Sequence, residues 1–157
     1  MISSDEFRMA MSRFASGVTV MTTADIAGRP HGVTVSAFCS VSMSPPLILA
    51  CIHKETASHY AFLERKAFVV HILGEDQSQI SQQFAQPAGD KFDGTNVGTS
   101  SEGLPLLNDA LVTLECRVVS AHDGGDHTVI VGSVENADIR DGSPLIYYQH
   151  EYHKIFK

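Results

Sequence analysis

Ala110–Ile139 reads ALVTLECRVVSAHDGGDHTVIVGSVENADI, two long runs of alternating apolar and polar residues on either side of HDGGDH. A period of two places every second side chain on one face of a strand, and a Gly-Gly-Asp turn between two such runs marks a long antiparallel hairpin. Such a hairpin is unstable alone and needs further strands. The chain supplies them on both sides. Upstream, VTVMTT (18–23) and HGVTVSAF (31–38) flank ADIAGRP (24–30), whose Gly28 and Pro30 suit a hairpin turn. LILACI (47–52) follows Pro45-Pro46, and its unbroken apolar character fits a strand buried on both faces or one that closes a barrel. AFVVHIL (67–73) is another strand, and PLIYY (144–148) with YHKIF (152–156) ends the chain in β structure.

Three helices fit between these strands. Phe7, Ala10, Met11 and Phe14 at helical spacing, behind Ser4, Asp5 and Glu6, predict a capped amphipathic helix that ends near Gly17 and packs across the barrel. Thr56 stands where an N-cap would, ahead of ASHYAFLERK (57–66), and Asp76 with Gln79 resembles a capping box opening QSQISQQFA (77–85). Gln86–Asn108 is polar and rich in Gly, Ser, Asp and Pro, which suits a lid-like loop or a plain surface excursion. Seven or eight strands and three helices make an α+β fold, mainly antiparallel β. A sheet of this size tends to close on itself because closure removes exposed edges.

At 157 residues and 43% hydrophobic, the chain suits one domain spanning 1–157, with no charge run, repeat or low-complexity tract. A formal net charge of −7 disfavours nucleic acid as a partner, because that grip needs clustered Lys and Arg. The N-terminus MISSDEFRMAMSRF has early acids and no apolar run, so it suits neither a secretory signal nor a membrane span; cytoplasmic residence is the expectation. Cys39, Cys51 and Cys116 are an odd number without a CxxC pair, which suggests a reducing compartment and neither a disulfide frame nor a zinc site. The eight histidines lack HExxH spacing, so no metal site is expected.

Neither GxGxxG after a strand nor GxxxxGK[ST] is present, so a nucleotide would have to be held without a Rossmann or P-loop cradle. In GVTVSAFCSVSMSPP (32–46), Ser36, Ala37, Ser40 and Ser42 are small enough to let backbone N–H and C=O groups approach a planar ring edge such as that of a flavin. The same serines would equally decorate a turn before Pro45-Pro46. Lys54 and Thr56 beside a helix start suit a phosphate, or else a solvated lysine and an ordinary cap. His127, beginning a strand after GGD, can face a ligand over the barrel mouth. There it would position a nicotinamide carboxamide, although a lone histidine beside a hairpin is as often structural. Cys39 has no base partner nearby and reads as a turn-lining thiol.

Taken in order, RFASGVTVMTT, GVTVSAFCSVSMSPPLILACI, FAQPAGDKF, GLPLL, ALVTLECRV, GDHTVIVGSV and SPLIYY resemble the short-chain flavin reductase family over nearly the whole chain. The resemblance implies an FMN-binding split β-barrel of Greek-key type with flanking short helices. It also implies a homodimeric NAD(P)H:flavin oxidoreductase, reducing FMN or FAD with NADH or NADPH and supplying a separate flavin-dependent oxygenase. Carried over, Thr34, Val35, Ser36, Ala37 and Phe38 with Ser40 and Val41 would line the isoalloxazine and ribityl chain. Cys51, Ile52, His53 and Lys54 with Ser58 would meet the ribityl phosphate side, with Phe84 and Lys91 near the pyrophosphate or adenine end. His127, in the family's GDH element, would contact nicotinamide, and Tyr148 would border the same pocket. Three positions depart from the pattern: many relatives have Asn where His53 and His71 stand, and Glu where Ser133 follows Gly132. His53 leaves the phosphate-side hydrogen bonds open; His71 and Ser133 read as strand substitutions that bear on pocket polarity or dimer contact. A non-reductase flavin protein on the same barrel, whether electron carrier, sensor or pyridoxamine-phosphate-oxidase-like, is the alternative reading.

Overall fold

The computed structural model describes residues 1–155; Phe156 of the expected terminal strand lies outside them. Helix α1 (Ser4–Met11) precedes β1 (Ser16–Gly17), β2 (Thr19–Ala24), β3 (Pro30–Val35), β4 (Phe38–Met43) and β5 (Pro46–His53). Helix α2 (His59–Arg65), β6 (Ala67–Ile72) and helix α3 (Ser78–Ala85) follow, then β7 (Val97–Thr99) and β8 (Pro105–Leu107). The anticipated hairpin is β9 (Val112–Gly124) and β10 (His127–Ile139), and β11 (Ile146–Tyr148) with β12 (Glu151–His153) closes the described chain.

Seven strands form one antiparallel sheet in the order β3-β2-β6-β9-β10-β5-β4. Strands β3 and β4 occupy opposite edges yet are joined by Ser36 and Ala37 alone. At about 4.8 Å per strand a flat seven-stranded sheet would hold its edges roughly 29 Å apart, whereas this link spans at most about 11 Å. The sheet therefore has to curl until its edges meet. They meet at this link, where the Cys51 N–H donates to the Ala37 carbonyl (3.0 Å); β3 and β4 share no ladder, so the barrel is split there.

Met21, Ala50, Ile52, Phe62, Phe68, Val70 and Ile130 fill the barrel. A second core, with Val18, Val20, Leu73, Phe84, Leu107 and Leu145, lies beneath α3 and the C-terminal hairpin. Gly32 makes that second packing possible: a Cβ there would sit 2.5 Å from the Phe84 ring. Full burial of Phe84 contributes about 1.5–3 kcal/mol. His71, fully buried on β6, donates from Nδ1 to the Val20 carbonyl (3.0 Å) and accepts the Leu107 N–H at Nε2 (3.1 Å). It thereby ties β2 and β6 to the 86–108 segment.

Several local expectations are corrected. The α1 cap is Ser3, one residue early, in a capping box with Glu6, and the helix stops at Met11. None of its residues is buried, with Phe7, Met9, Met11 and nearby Phe14 at least half exposed, so α1 does not pack across the barrel in the single chain. Thr56 is not the α2 cap. It lies in the preceding turn, its carbonyl accepting the His59 N–H (2.9 Å), and Ser58 is the cap residue. Helix α3 has no capping box: Asp76 instead pairs with Lys154, and the Gln77 side chain accepts the Gly74 N–H (2.8 Å). Four strands beyond the expected eight are present, because HGVTVSAF breaks at Ser36-Ala37 into β3 and β4, and the short β1, β7 and β8 are pairing-driven. The 86–108 segment is fastened rather than free. Gln83 Nε2 donates to the Lys91 and Asp93 carbonyls (both 2.8 Å), and His71 holds Leu107.

Candidate functional site

The β9–β10 turn has two loop residues, Gly125 and Asp126, and Gly125 takes φ +76°, which fits the first position of a type II′ turn. The turn delivers His127 onto β10 directly opposite His53 at the end of β5. Their rings meet edge to face with centroids 4.9 Å apart. His127 Nδ1–H donates to Asp126 Oδ1 (2.6 Å), and His53 Nε2 lies 3.9 Å from Asp126 Oδ2. The hydrogen bond from His127 holds the Asp126 carboxyl below the usual carboxylate range. His53 Nδ1 accepts the Glu55 N–H (3.2 Å). Beside them, the Lys54 ammonium is held by the Asp123 carboxylate and the Gly125 carbonyl (2.6 Å).

Two clefts flank Ala85 at the end of α3. One, about 260 Å³, is lined by Val33, His53, Thr56, Gln86 and Lys91. Lys91 Nζ donates to the Gly32 and Phe84 carbonyls (3.1 and 3.2 Å), burial pushes its pKa down, and it pairs with no carboxylate among the described residues. The other, about 210 Å³, is lined by Val18, Thr34, Ser36, Ser81, Tyr147 and Tyr152. There Thr34 Oγ1 donates to the Ser81 carbonyl (2.6 Å), and the Ser81 and Tyr152 hydroxyls are 2.8 Å apart. Ser58 Oγ is buried without a hydrogen-bond partner. No group of His, Cys, Asp or Glu among the described residues is placed to hold a metal ion.

Of the sequence-predicted residues, Thr34, Ser36, His53 and Lys91 line the two clefts, and Lys54, Ser58 and His127 lie beside the first or on its rim. Val35 and Ile52 turn their side chains into the barrel core, leaving only their backbones for a ligand. Phe84 is likewise a core residue, and it meets the site only through the carbonyl that holds Lys91. Phe38 packs against the core, and Ala37, Ser40 and Val41 are exposed on or beside the edge strand β4, outside both clefts. The Cys51 thiol is half-buried and its pKa raised, first by burial and then by Cys39. Tyr148 meets His153 edge to face (centroids 6.0 Å apart) and lines neither cleft, while its neighbour Tyr147 lines the second. Ser81, Tyr147, Tyr152 and Asp126 went unread in the sequence. For Tyr147 the signal was there, since adjacent strand residues face opposite ways.

The profile of the flavin reductase like domain matches residues 11–155. The chain belongs to this family. It is 43% identical over 145 residues to the FMN reductase (NADH) SmoA of Agrobacterium fabrum, covering 92% of this chain and 82% of that protein. It is 40% identical over 147 residues to the reductase component of a 4-nitrophenol 4-monooxygenase/4-nitrocatechol 2-monooxygenase of Rhodococcus opacus, covering 94% of this chain and 78% of that one. Among solved structures, the NADH:FAD oxidoreductase SgcE6 of Streptomyces globisporus C-1027, in complex with NAD and FAD fragments, superposes with a TM-score of 0.90 at 29% identity, over 99% of this chain and 96% of that one. The donor set suits the flavin such a family member handles. An orphaned buried hydroxyl (Ser58) and a lysine without a carboxylate partner (Lys91) fit an anionic phosphate, and the small side chains of Thr34 and Ser36 leave backbone edges for a planar ring.

Proposed function

We propose that this flavin reductase family member is an NAD(P)H:flavin oxidoreductase that converts NAD(P)H, a proton and oxidised FMN or FAD into NAD(P)⁺ and reduced flavin. The observation that carries the reading is the family match from residue 11 to 155, laid over a rim where cationic and hydroxyl groups surround a cleft beside a segment of small residues. The relatives' names specify NADH, which supports NADH as the donor. When bound, the flavin supplies the hydride acceptor; the protein's part is orientation and shielding. The backbone of Thr34–Phe38 with Ser40 and Val41 faces the ring and ribityl chain. Cys51 and Ile52 through their backbones, with His53, Lys54 and Ser58, take the phosphate side, and Lys91 neutralises the pyrophosphate end. His127 receives the nicotinamide from the open rim.

Relatives named as reductase components of monooxygenases support a separate oxygenase as the consumer of reduced flavin. A homodimer is the assembly we propose for the chain. Exposed Phe7, Met9, Met11 and Phe14 on and after α1, and Val41 and Met43 on the unpaired outer edge of β4, supply apolar surface for a second copy. No helix among the described residues is long and apolar enough to cross a membrane, and a cytoplasmic location fits the three free thiols.

Purified protein mixed with NADH or NADPH and excess FMN or FAD should oxidise the nicotinamide far faster than a protein-free blank. Absence of acceleration with every donor–acceptor combination overturns the reading, whereas tight flavin retention without turnover points to a binding protein on the same barrel.

A further inference from the structure

One carboxylate at the β9–β10 turn faces two imidazoles, and one hydrogen bond to each ring fixes where its proton sits. Asp126 Oδ1 is an acceptor, so the His127 nitrogen 2.6 Å away, Nδ1, carries the proton, and Nε2 keeps its lone pair. The Glu55 N–H is a donor, so His53 Nδ1 keeps its lone pair and its proton sits on Nε2, on the side of Asp126 Oδ2. The two rings, edge to face across the β5–β10 ladder, are thus held in opposite tautomers, His127 by Asp126 and His53 by the Glu55 N–H. The other charges near this acid have their own partners: the Lys54 ammonium is engaged by Asp123 and the Gly125 carbonyl, and Lys91 lies in the adjoining cleft on the Gly32 and Phe84 carbonyls.

We propose that Asp126 is a positioning residue that locks His127 as a hydrogen-bond acceptor at Nε2, and that this lock makes the enzyme select a nicotinamide bearing a carboxamide over one bearing a carboxylate. The inference rests on the reading that His127 meets the nicotinamide. A carboxamide offers an N–H to the bare Nε2. A carboxylate offers only lone pairs, and it arrives against a neutral acceptor backed by a second negative charge. His53 supports the lock from the other side: its ring edge packs on His127 and its Nε2–H favours the ionised form of Asp126.

Two measurements test this, one of them independent of turnover. In ¹⁵N-edited NMR of the protein, His127 should show a protonated Nδ1 and a bare Nε2, and His53 the reverse. Asp126→Ala, which removes the acceptor, should move His127 toward the Nε2–H form that free imidazole side chains prefer. In steady-state assays the wild type should use NADH in preference to reduced nicotinic acid adenine dinucleotide by about 50-fold in kcat/KM, a loss of the size expected when an acceptor that the bound ligand desolvates is left unmatched. Asp126→Ala should shrink that preference to less than about fivefold, chiefly through KM. Either a protonated Nε2 on wild-type His127, or a preference ratio that Asp126→Ala leaves unchanged, overturns the inference. If instead the tautomers are as described but His127→Ala alters neither the KM for NADH nor the preference, the placement of nicotinamide at His127 fails while the tautomer lock stands.

Discussion

His71 and His127 are both strand histidines, and each donates from Nδ1 to a fixed oxygen, yet they have opposite meanings. His71 is wholly buried and both its nitrogens are used, one on Val20 and one on Leu107. His127 leaves 39% of its side chain exposed and, among the described residues, uses only one nitrogen, on Asp126. A ring with both hydrogen-bonding positions satisfied by backbone is a fastener. A ring oriented on one side and open on the other has an acceptor left for a ligand's N–H. The rim assembly of His53, Asp126 and His127 is the open counterpart of the sealed His71 joint.

Replacing the sealed histidine should have the largest effect. His71→Ala removes a buried ring and leaves the Val20 carbonyl and the Leu107 N–H without partners, so unfolding in urea should show a loss of about 3–5 kcal/mol. The KM for NADH, measured below the transition, should stay within about twofold. A stability loss under about 1 kcal/mol would show that the 86–108 segment does not depend on this joint.

Acid sharpens the same contrast. Burial lowers the pKa of His71 from 6.5 to about 4. The unfolded chain therefore takes up a proton below pH 6.5 that the folded chain refuses until about pH 4, and stability falls as pH drops through that window and is intact above it. The full loss is about 3 kcal/mol. Because His71→Gln has no such titration, the wild-type advantage over this variant should shrink between pH 7 and 4.5; a constant difference would break the assignment.

The alternation of β9 and β10 and the turn between them made the hairpin, and with it the barrel, legible from sequence, because period-two patterning records a single buried face. The β4 strand was not legible. CSVSM has the composition of a turn, and it is held in the sheet by pairing with β5 across a register shift between Ser40 and Ser42. His127 stood out by its place after GGD, and the structure sets it on the rim beside His53, whereas Lys91, which lines the cleft, followed only from the family resemblance. The site was illegible where only the facing decides: Tyr147 rather than Tyr148 lines the cleft, and Phe84 lies under Gly32 in the core instead of against a ligand. The α1 helix shows the remaining limit: its apolar spacing predicts a stripe packed across the barrel, but none of its residues is buried among the described residues.

On the open side of the comparison the effects should fall on ligands rather than on the fold. His127→Ala should raise the KM for NADH about tenfold, equivalent to about 1.4 kcal/mol. It should change unfolding stability by less than about 0.5 kcal/mol, since the ring is partly exposed and makes one hydrogen bond to an exposed carboxylate. A large stability loss with unchanged KM would place His127 with His71 among the fasteners.

The smallest effect should come from the pair that sits between the two regimes. Lys54 and Asp123 are substantially exposed, and such a pair contributes between zero and about 1 kcal/mol to stability. Its importance lies in competition, because the carboxylate occupies the ammonium that a flavin phosphate would otherwise engage. Asp123→Asn should leave the unfolding transition nearly unmoved and tighten FMN binding about two- to threefold at low salt. Riboflavin, which has no phosphate, should show no gain. An equal gain for both ligands would mean that Lys54 senses the ring or the ribityl chain, and would remove it from the phosphate side.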